Sequence, residues 1–255
     1  MRQPKLTLVG AGPGDPGLIT LKGVEALRAA DVVLYDALAN PALLEHAPKR
    51  ARKVFVGKRK DLHSATQEEI NTMITSLAFK YGHVVRLKGG DPFLLGRGGE
   101  EMEVAKAVGI ETEYIPGVTS ALAVPGLAGI PVTHRDISKS VWILSGTSSS
   151  GNVTEDLKLA ARSSATVVIL MGVATLPEIV NTYALEGRTE APVAIIQNGS
   201  TEGQRSVTGR ISNIIDLATK AQIAAPAIIV IGDVVRFFDP SGKEAAQSES
   251  KNQLQ

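Results

Sequence analysis

Short apolar, β-branched runs alternate along the chain with segments whose apolar residues recur every three or four positions. In the first half, Leu6–Val9, Asp31–Tyr35, Lys53–Val56, Val84–Lys88 and Glu111–Ile115 predict five strands. In the second half, Val141–Leu144, Ala165–Leu170, Pro192–Ile196 and Ala227–Ile231 predict four more. The runs "TVVIL" and "AIIVI" carry no polar alternation, which predicts strands buried on both faces in sheets covered by helices. The clearest helix signal is "TQEEINTMITSLAFKYG": Thr66 and Glu69 have capping-box spacing, Ile70, Met73, Ile74 and Leu77 share one face, and Gly82 closes the segment. A second helix is expected from near Gly99 to Val108, stopping at Gly109.

Between the halves, "IPGVTSALAVPGLAGIPVTHRD" is too rich in proline and glycine to carry a long element, so a domain boundary is expected nearby. The fold class predicted is α/β with two α/β domains, residues 1–117 and 118–238. A shared cleft is the natural ligand site. Residues 239–255, polar and almost free of large apolar groups, are expected to be a disordered tail.

A chain of 255 residues, 44% hydrophobic and only 4% aromatic, suits such a fold built on Val, Ile, Leu and Ala. Lys+Arg 27 against Asp+Glu 26 leaves +1, so no global field favours nucleic acid. The absence of cysteine excludes disulfides, thiolate metal sites and a cysteine nucleophile, and fits a reducing compartment. The start "MRQPKLTLVG" lacks the apolar stretch of a signal peptide. No uninterrupted apolar run approaches the ~20 residues of a membrane helix. The expectation is a soluble cytoplasmic protein with no membrane partner.

The stretch "LTLVGAGPGDPGLITLKG" leads from the first strand into helix-like sequence through Gly10, Gly12 and Gly14. The dinucleotide fingerprint needs a third glycine where Asp15 stands, and Pro13 and Pro16 remove backbone donors that a pyrophosphate would use. A nucleotide-binding oxidoreductase is therefore disfavoured, and no Gly-Lys-Ser/Thr follows to make a P-loop. Two readings stay open for the loop by itself. It is a plain strand-to-helix turn, or it holds S-adenosylmethionine (SAM), since G-x-G-x-G after a first strand also occurs in the commonest methyltransferase fold.

Further blocks follow in fixed order: "DVVLYDAL" (31–38), "VFVGKRKDLHSATQEEIN" (54–71), "VVRLKGGDPFLLGRGGEE" (84–101), "PGVTSALAVPGLAGIPVTHRD" (116–136) and "MG" at Met171. With the opening loop, they resemble the uroporphyrinogen-III C-methyltransferases of the tetrapyrrole methylase superfamily over roughly residues 5 to 238. The resemblance implies two α/β domains with SAM in the cleft between them, a homodimer, and two successive methyl transfers to uroporphyrinogen III, giving precorrin-2 by way of precorrin-1. That product precedes the split into sirohaem and cobalamin branches. It implies no metal, and the four histidines show no ligand spacing. Two other readings are a sister methylase acting on another tetrapyrrole and a SAM-binding regulatory protein without catalysis.

The family's cofactor positions fall on Pro13, Gly89, Gly90, Asp91, Leu94, Thr119, Ser120, Met171 and Gly199. Taken alone, Asp91 before a proline is a turn residue, and a lone Met171 after a buried strand is core packing. The proposed proton acceptor and donor fall on Asp36 and Lys58, which by themselves read as a strand-end cap and a solvated charge. A polycarboxylate substrate calls for guanidinium and ammonium groups, and Arg97, Glu100, His134 and Arg135 are the expected contacts, with Glu100 either orienting Arg97 or holding a pyrrole N–H. The basic stretch 49–60 has Phe55 as its sole aromatic, which weakens a nucleic-acid reading. Asp61, Leu62, Leu95, Leu127 and Thr147 depart from the family pattern and bear on how the tetrapyrrole is gripped.

Overall fold

The computed structural model describes residues 3–57, 65–147 and 154–238, and the chain divides into two units after Ser120. The first unit runs β1 (Lys5–Gly10), α1 (Leu21–Ala29), β2 (Val32–Tyr35), β3 (Arg52–Phe55), α2 (Gln67–Tyr81), β4 (His83–Lys88), α3 (Gly98–Ala107) and β5 (Glu111–Ile115). Its five strands form one parallel sheet in the order β3-β2-β4-β1-β5. One face is packed with Val9, Leu27, Val33 and Leu87, the other with Leu6, Leu8, Leu34 and Ile74. The inner strands β1, β2 and β4 are buried on both sides and so are mostly apolar at successive positions, while the edge strands β3 and β5 are partly exposed and carry polar residues.

Helix α2 forms as its sequence predicts. Thr66 Oγ1 accepts from the Glu69 N–H while the Glu69 carboxylate accepts from the Thr66 N–H, and Gly82 closes the helix at φ 106°. Ile70 and Ile74 are buried, with Met73 and Leu77 packed partly beneath them. Helix α3 ends at Ala107, and Gly109, two residues on, turns the chain at a φ of 79° that suits glycine.

The second unit opens within α4 (Ser120–Leu127) and continues with β6 (Val141–Ser145), α5 (Asp156–Arg162), β7 (Thr166–Leu170), α6 (Leu176–Leu185), β8 (Pro192–Gln197), β9 (Arg205–Arg210), α7 (Ile214–Lys220) and β10 (Ala227–Ile231). Its sheet order is β6-β7-β10-β8-β9. Strand β10 is buried along its whole length and runs antiparallel to both neighbours, so this sheet is mixed. Truncating a residue such as the fully buried Ile229 to alanine would cost about 2–5 kcal/mol.

Two elements add to the sequence expectation. The proline-rich junction holds a short helix, α4, with Pro125 inside its last turn. Strand β9, "RSVTGR", has no apolar alternation because it is an exposed edge strand that pairs with β8 alone. The expected tail 239–255 lies outside the described residues. Among the described residues no helix is long and apolar enough to cross a membrane.

Candidate active site

In the first unit, β1 and β4 are neighbours, yet α1 carries the chain from β1 towards β2 while α3 carries it from β4 to the opposite edge at β5. Loops leaving adjacent strands in opposite directions open a crevice at the strands' C-terminal ends, where open α/β sheets hold ligands. The loops after β1 and β4 meet there backbone to backbone. Gly90 N–H donates to the Gly12 carbonyl at 2.7 Å, Gly12 N–H donates back to Gly90 O at 3.3 Å, and Ala11 N–H donates to Lys88 O at 2.7 Å.

Gly117, just after β5, completes the junction. A Cβ on Gly10 would lie 2.3 Å from Gly117 Cα, and one on Gly117 would lie 2.2 Å from Gly90 O. Gly10 and Gly117 are thus required by backbone contact, and Gly90 by its left-handed φ of 64°. In the opening loop Asp15 caps a 3-10 turn at Pro16–Leu18, accepting from Gly17 N–H at 2.8 Å, and Pro13 stands half-buried.

Asp91 is committed to the architecture of its own loop. Its Oδ1 accepts from Phe93 N–H at 2.8 Å, and its Oδ2 accepts from Tyr114 Oη at 2.6 Å and Gly117 N–H at 3.0 Å. The Phe93 ring stacks on Tyr114 at 3.9 Å between centroids. Burial first, then the Asp91 carboxylate, pushes the Tyr114 phenol up to about 12. A carboxylate has about four lone-pair sites, so little acceptor capacity is left over for a ligand. The turn reading of Asp91 is realised in the fold.

Beyond it, Leu94 is half-buried, and Leu95 and Arg97 adopt left-handed φ of 54° and 57°. Non-glycine residues in this region cost about 1–3 kcal/mol and collect at ligand-binding loops. Arg97 and Glu100 are exposed and pair through two bonds, Nε to Oε1 at 2.9 Å and Nη2 to Oε2 at 2.7 Å. The pairing lowers the Glu100 carboxyl and raises the Arg97 guanidinium from their ordinary values. Glu100 therefore orients Arg97, one of the two roles the sequence left open.

Asp36 follows β2 at the same edge of the sheet. Its Oδ1 accepts from Leu38 N–H at 3.0 Å, and its Oδ2 lies 3.4 Å from Arg86 Nη2. Arg86 belongs to a buried charged group that sequence reasoning missed. Glu101 on α3 is fully buried, and its Oε1 accepts from Lys88 Nζ at 2.8 Å, Arg86 Nε at 3.3 Å and Gln67 Nε2 at 3.3 Å. Its Oε2 is buried and has no hydrogen-bond partner among the described residues. Burial is the main cause holding the Lys88 ammonium below its ordinary value. The signal was present as two cations alternating through the otherwise apolar strand "HVVRLK". Lys58 lies outside the described residues.

Thr119 and Ser120 follow β5 and are half-buried. In the second unit, Met171 directly follows β7, 52% exposed, at a left-handed φ of 58°. That overturns core packing as the reading of this methionine. Gly172 behind it is buried, where a Cβ would crowd Ile169, Ile179 and Ile229. Gly199, after β8, stands between Asn198 and Ser200, both at positive φ, and a Cβ there would lie 2.3 Å from the Val124 side chain. His134 is engaged in a turn with Ser138 and stacks on Phe237 at 5.1 Å, while Arg135 is exposed. Among the described residues no group of three His, Asp or Glu is arranged to hold a metal ion.

The family model for tetrapyrrole (corrin/porphyrin) methylases matches residues 5–215. The chain belongs to that family. Among curated tetrapyrrole methylases and related proteins, a uroporphyrinogen-III C-methyltransferase of Methanocaldococcus jannaschii is 46% identical over 92% of this chain and 98% of its own. A solved uroporphyrin-III C-methyltransferase of Thermus thermophilus, complexed with S-adenosylhomocysteine, is 39% identical with a TM-score of 0.79, covering 92% of this chain and 100% of that one. A solved cobalt precorrin-4 methyltransferase has a TM-score of 0.80 at 28% identity, covering 92% and 96%. The fold of these tetrapyrrole methylases is thus shared across different substrates, and it is sequence that separates them.

Proposed function

We propose that this tetrapyrrole methylase is a SAM-dependent uroporphyrinogen-III C-methyltransferase that forms precorrin-2 by two successive methyl transfers. The observation that carries the reading is the junction of Gly10, Gly12, Gly90 and Gly117 at the C-terminal edge of a parallel sheet, with Asp36 at the end of the next strand. The sister-enzyme alternative is disfavoured by the lower identity to the precorrin-4 methyltransferase. Retention of Asp36 at a strand end, held by Arg86, speaks against a purely regulatory protein.

The residues fit such a cofactor. Strand ends made of glycine allow close approach of an adenosine to backbone, and Pro13, Leu94 and the exposed Met171 offer apolar surface. Pro13, Gly89, Gly90, Leu94, Thr119 and Ser120, with Met171 and Gly199, would hold it, and Asp91 acts by shaping its loop. When bound, S-adenosyl-L-methionine supplies an already activated methyl group and leaves as S-adenosyl-L-homocysteine. The chain's task is placement, bringing the attacking pyrrole carbon to about 3–3.5 Å from the carbon it will bond. A new carbon–carbon bond forms as the carbon–sulfur bond breaks, and the ring system then sheds one proton, which the Asp36 carboxylate accepts. Lys58 is the proposed proton donor. Arg97, oriented by Glu100, and His134 with Arg135 are proposed to grip the substrate's carboxylates. A homodimer working in the cytoplasm completes the reading. The test is an anaerobic incubation of protein, SAM and uroporphyrinogen III. A precorrin-2 chromophore with S-adenosylhomocysteine release is expected, and SAM binding without product would overturn it.

A further inference from the structure

Arg86 is 4% exposed, and all three of its guanidinium nitrogens are engaged. Nε donates to Glu101 Oε1 at 3.3 Å, Nη1 donates to the Leu87 carbonyl at 3.1 Å, and Nη2 lies 3.4 Å from Asp36 Oδ2. The planar fork is thereby fixed in the strand interior with one end turned to the site. Asp36 is then held from two sides, by Arg86 at Oδ2 and by Leu38 N–H at Oδ1, while its side chain stays 23% exposed. Among the described residues these are the two contacts that restrain the carboxylate. The register explains the reach: Arg86 pairs with Leu34 in β2, two residues before Asp36.

We infer that Arg86, anchored by Glu101, is a positioning residue that holds the Asp36 carboxylate in the geometry needed to accept the substrate's proton. This rests on the reading of Asp36 as the proton acceptor. Removing the brace leaves Asp36 free to rotate about its side-chain torsions, and misplacement of a reacting group by about 1 Å can cost on the order of a hundredfold in rate. Lysine at position 86 keeps the charge but cannot bridge Glu101 and Asp36 with separate nitrogens of one rigid plane.

The test compares Arg86→Lys, Asp36→Asn and the double variant by S-adenosylhomocysteine release at saturating uroporphyrinogen III, with SAM affinity by calorimetry. Arg86→Lys is expected to lower kcat by about tenfold to a hundredfold with SAM Kd unchanged, and to add nothing further in the Asp36→Asn background. That non-additivity is what a merely structural role would not produce. Arg86→Met is the second variant if lysine unfolds the protein. It leaves Lys88 paired with Glu101 and Asp36 in contact with water, so no buried charge is abandoned. Folded variants that turn over at the wild-type rate, or a loss equally large with and without Asp36, would overturn the inference. Wild-type turnover by Asp36→Asn itself would instead sink the proton-acceptor reading, which separates the two failures.

Discussion

Replacing Gly117 by alanine puts a methyl group 2.2 Å from Gly90 O and 2.6 Å from Gly10 Cα, where carbon contacts normally settle at about 3.5–4.0 Å. Both neighbours are backbone, so neither can rotate away as a side chain would. Overpacking of this kind costs about 1–3 kcal/mol, and two rigid neighbours place the cost near the top of that range. At roughly 2–4 °C per kcal/mol for a chain of this size, about 3 kcal/mol corresponds to a Tm fall of roughly 6–12 °C. The displaced element is the loop carrying Gly89 and Gly90, so SAM affinity should fall as well. Gly99→Ala is the control: nothing lies within 4 Å of its Cβ, and an alanine in the first turn of α3 should leave stability unchanged or slightly raised. Thermal melts and calorimetric SAM titrations read both effects. Gly117→Ala melting and binding SAM as the wild type does would refute the backbone-junction argument.

Asp36→Asn should retain SAM affinity and slow methylation by about 10²–10⁴-fold, read from single-turnover product formation; loss of SAM binding alone would contradict its role. Met171→Gly should raise stability by about 1 kcal/mol, since a methionine at φ 58° pays for its backbone, yet weaken SAM binding; a destabilised variant with intact binding would point back to packing. Asp91→Asn removes the charge beside Tyr114, whose phenol should then titrate below its present value of about 12 in an alkaline absorbance titration. For His83, burial holds the imidazole below its ordinary 6.5, with Asp31, Lys5 and Glu113 as the nearest charged groups. The unfolded chain then binds more protons in the window between the depressed value and 6.5, so stability falls as acid is added through that window. Denaturant melts from pH 7 to about 5 should show this slope in the wild type and a flatter one in His83→Gln.

Inner strands such as β1, β7 and β10 were legible because burial on two faces forces apolar runs, and α2 was legible because its capping box and glycine stop are local chemistry. Strand β9 was not, since an exposed edge strand needs no apolar pattern. The sequence left the opening loop with two readings, and Gly117, the partner of its Gly10, lies more than a hundred residues away, so only the fold shows that contact. Met171 was misread by itself because local sequence does not report that the chain turns left-handed after β7. The Arg86–Glu101–Lys88 group was missed for a related reason. Its two cations alternate in the β4 sequence, but their partner Glu101 stands on α3, and that pairing becomes visible only once the helix is laid on the sheet.

Two methyl transfers from SAM to one tetrapyrrole fix the product stoichiometry. Purified protein, incubated anaerobically with excess SAM and limiting uroporphyrinogen III, should release two S-adenosylhomocysteine molecules per tetrapyrrole consumed, with the precorrin-2 chromophore rising in step. Tight SAM binding with no S-adenosylhomocysteine released, or turnover only with a later corrin precursor as acceptor, would contradict it.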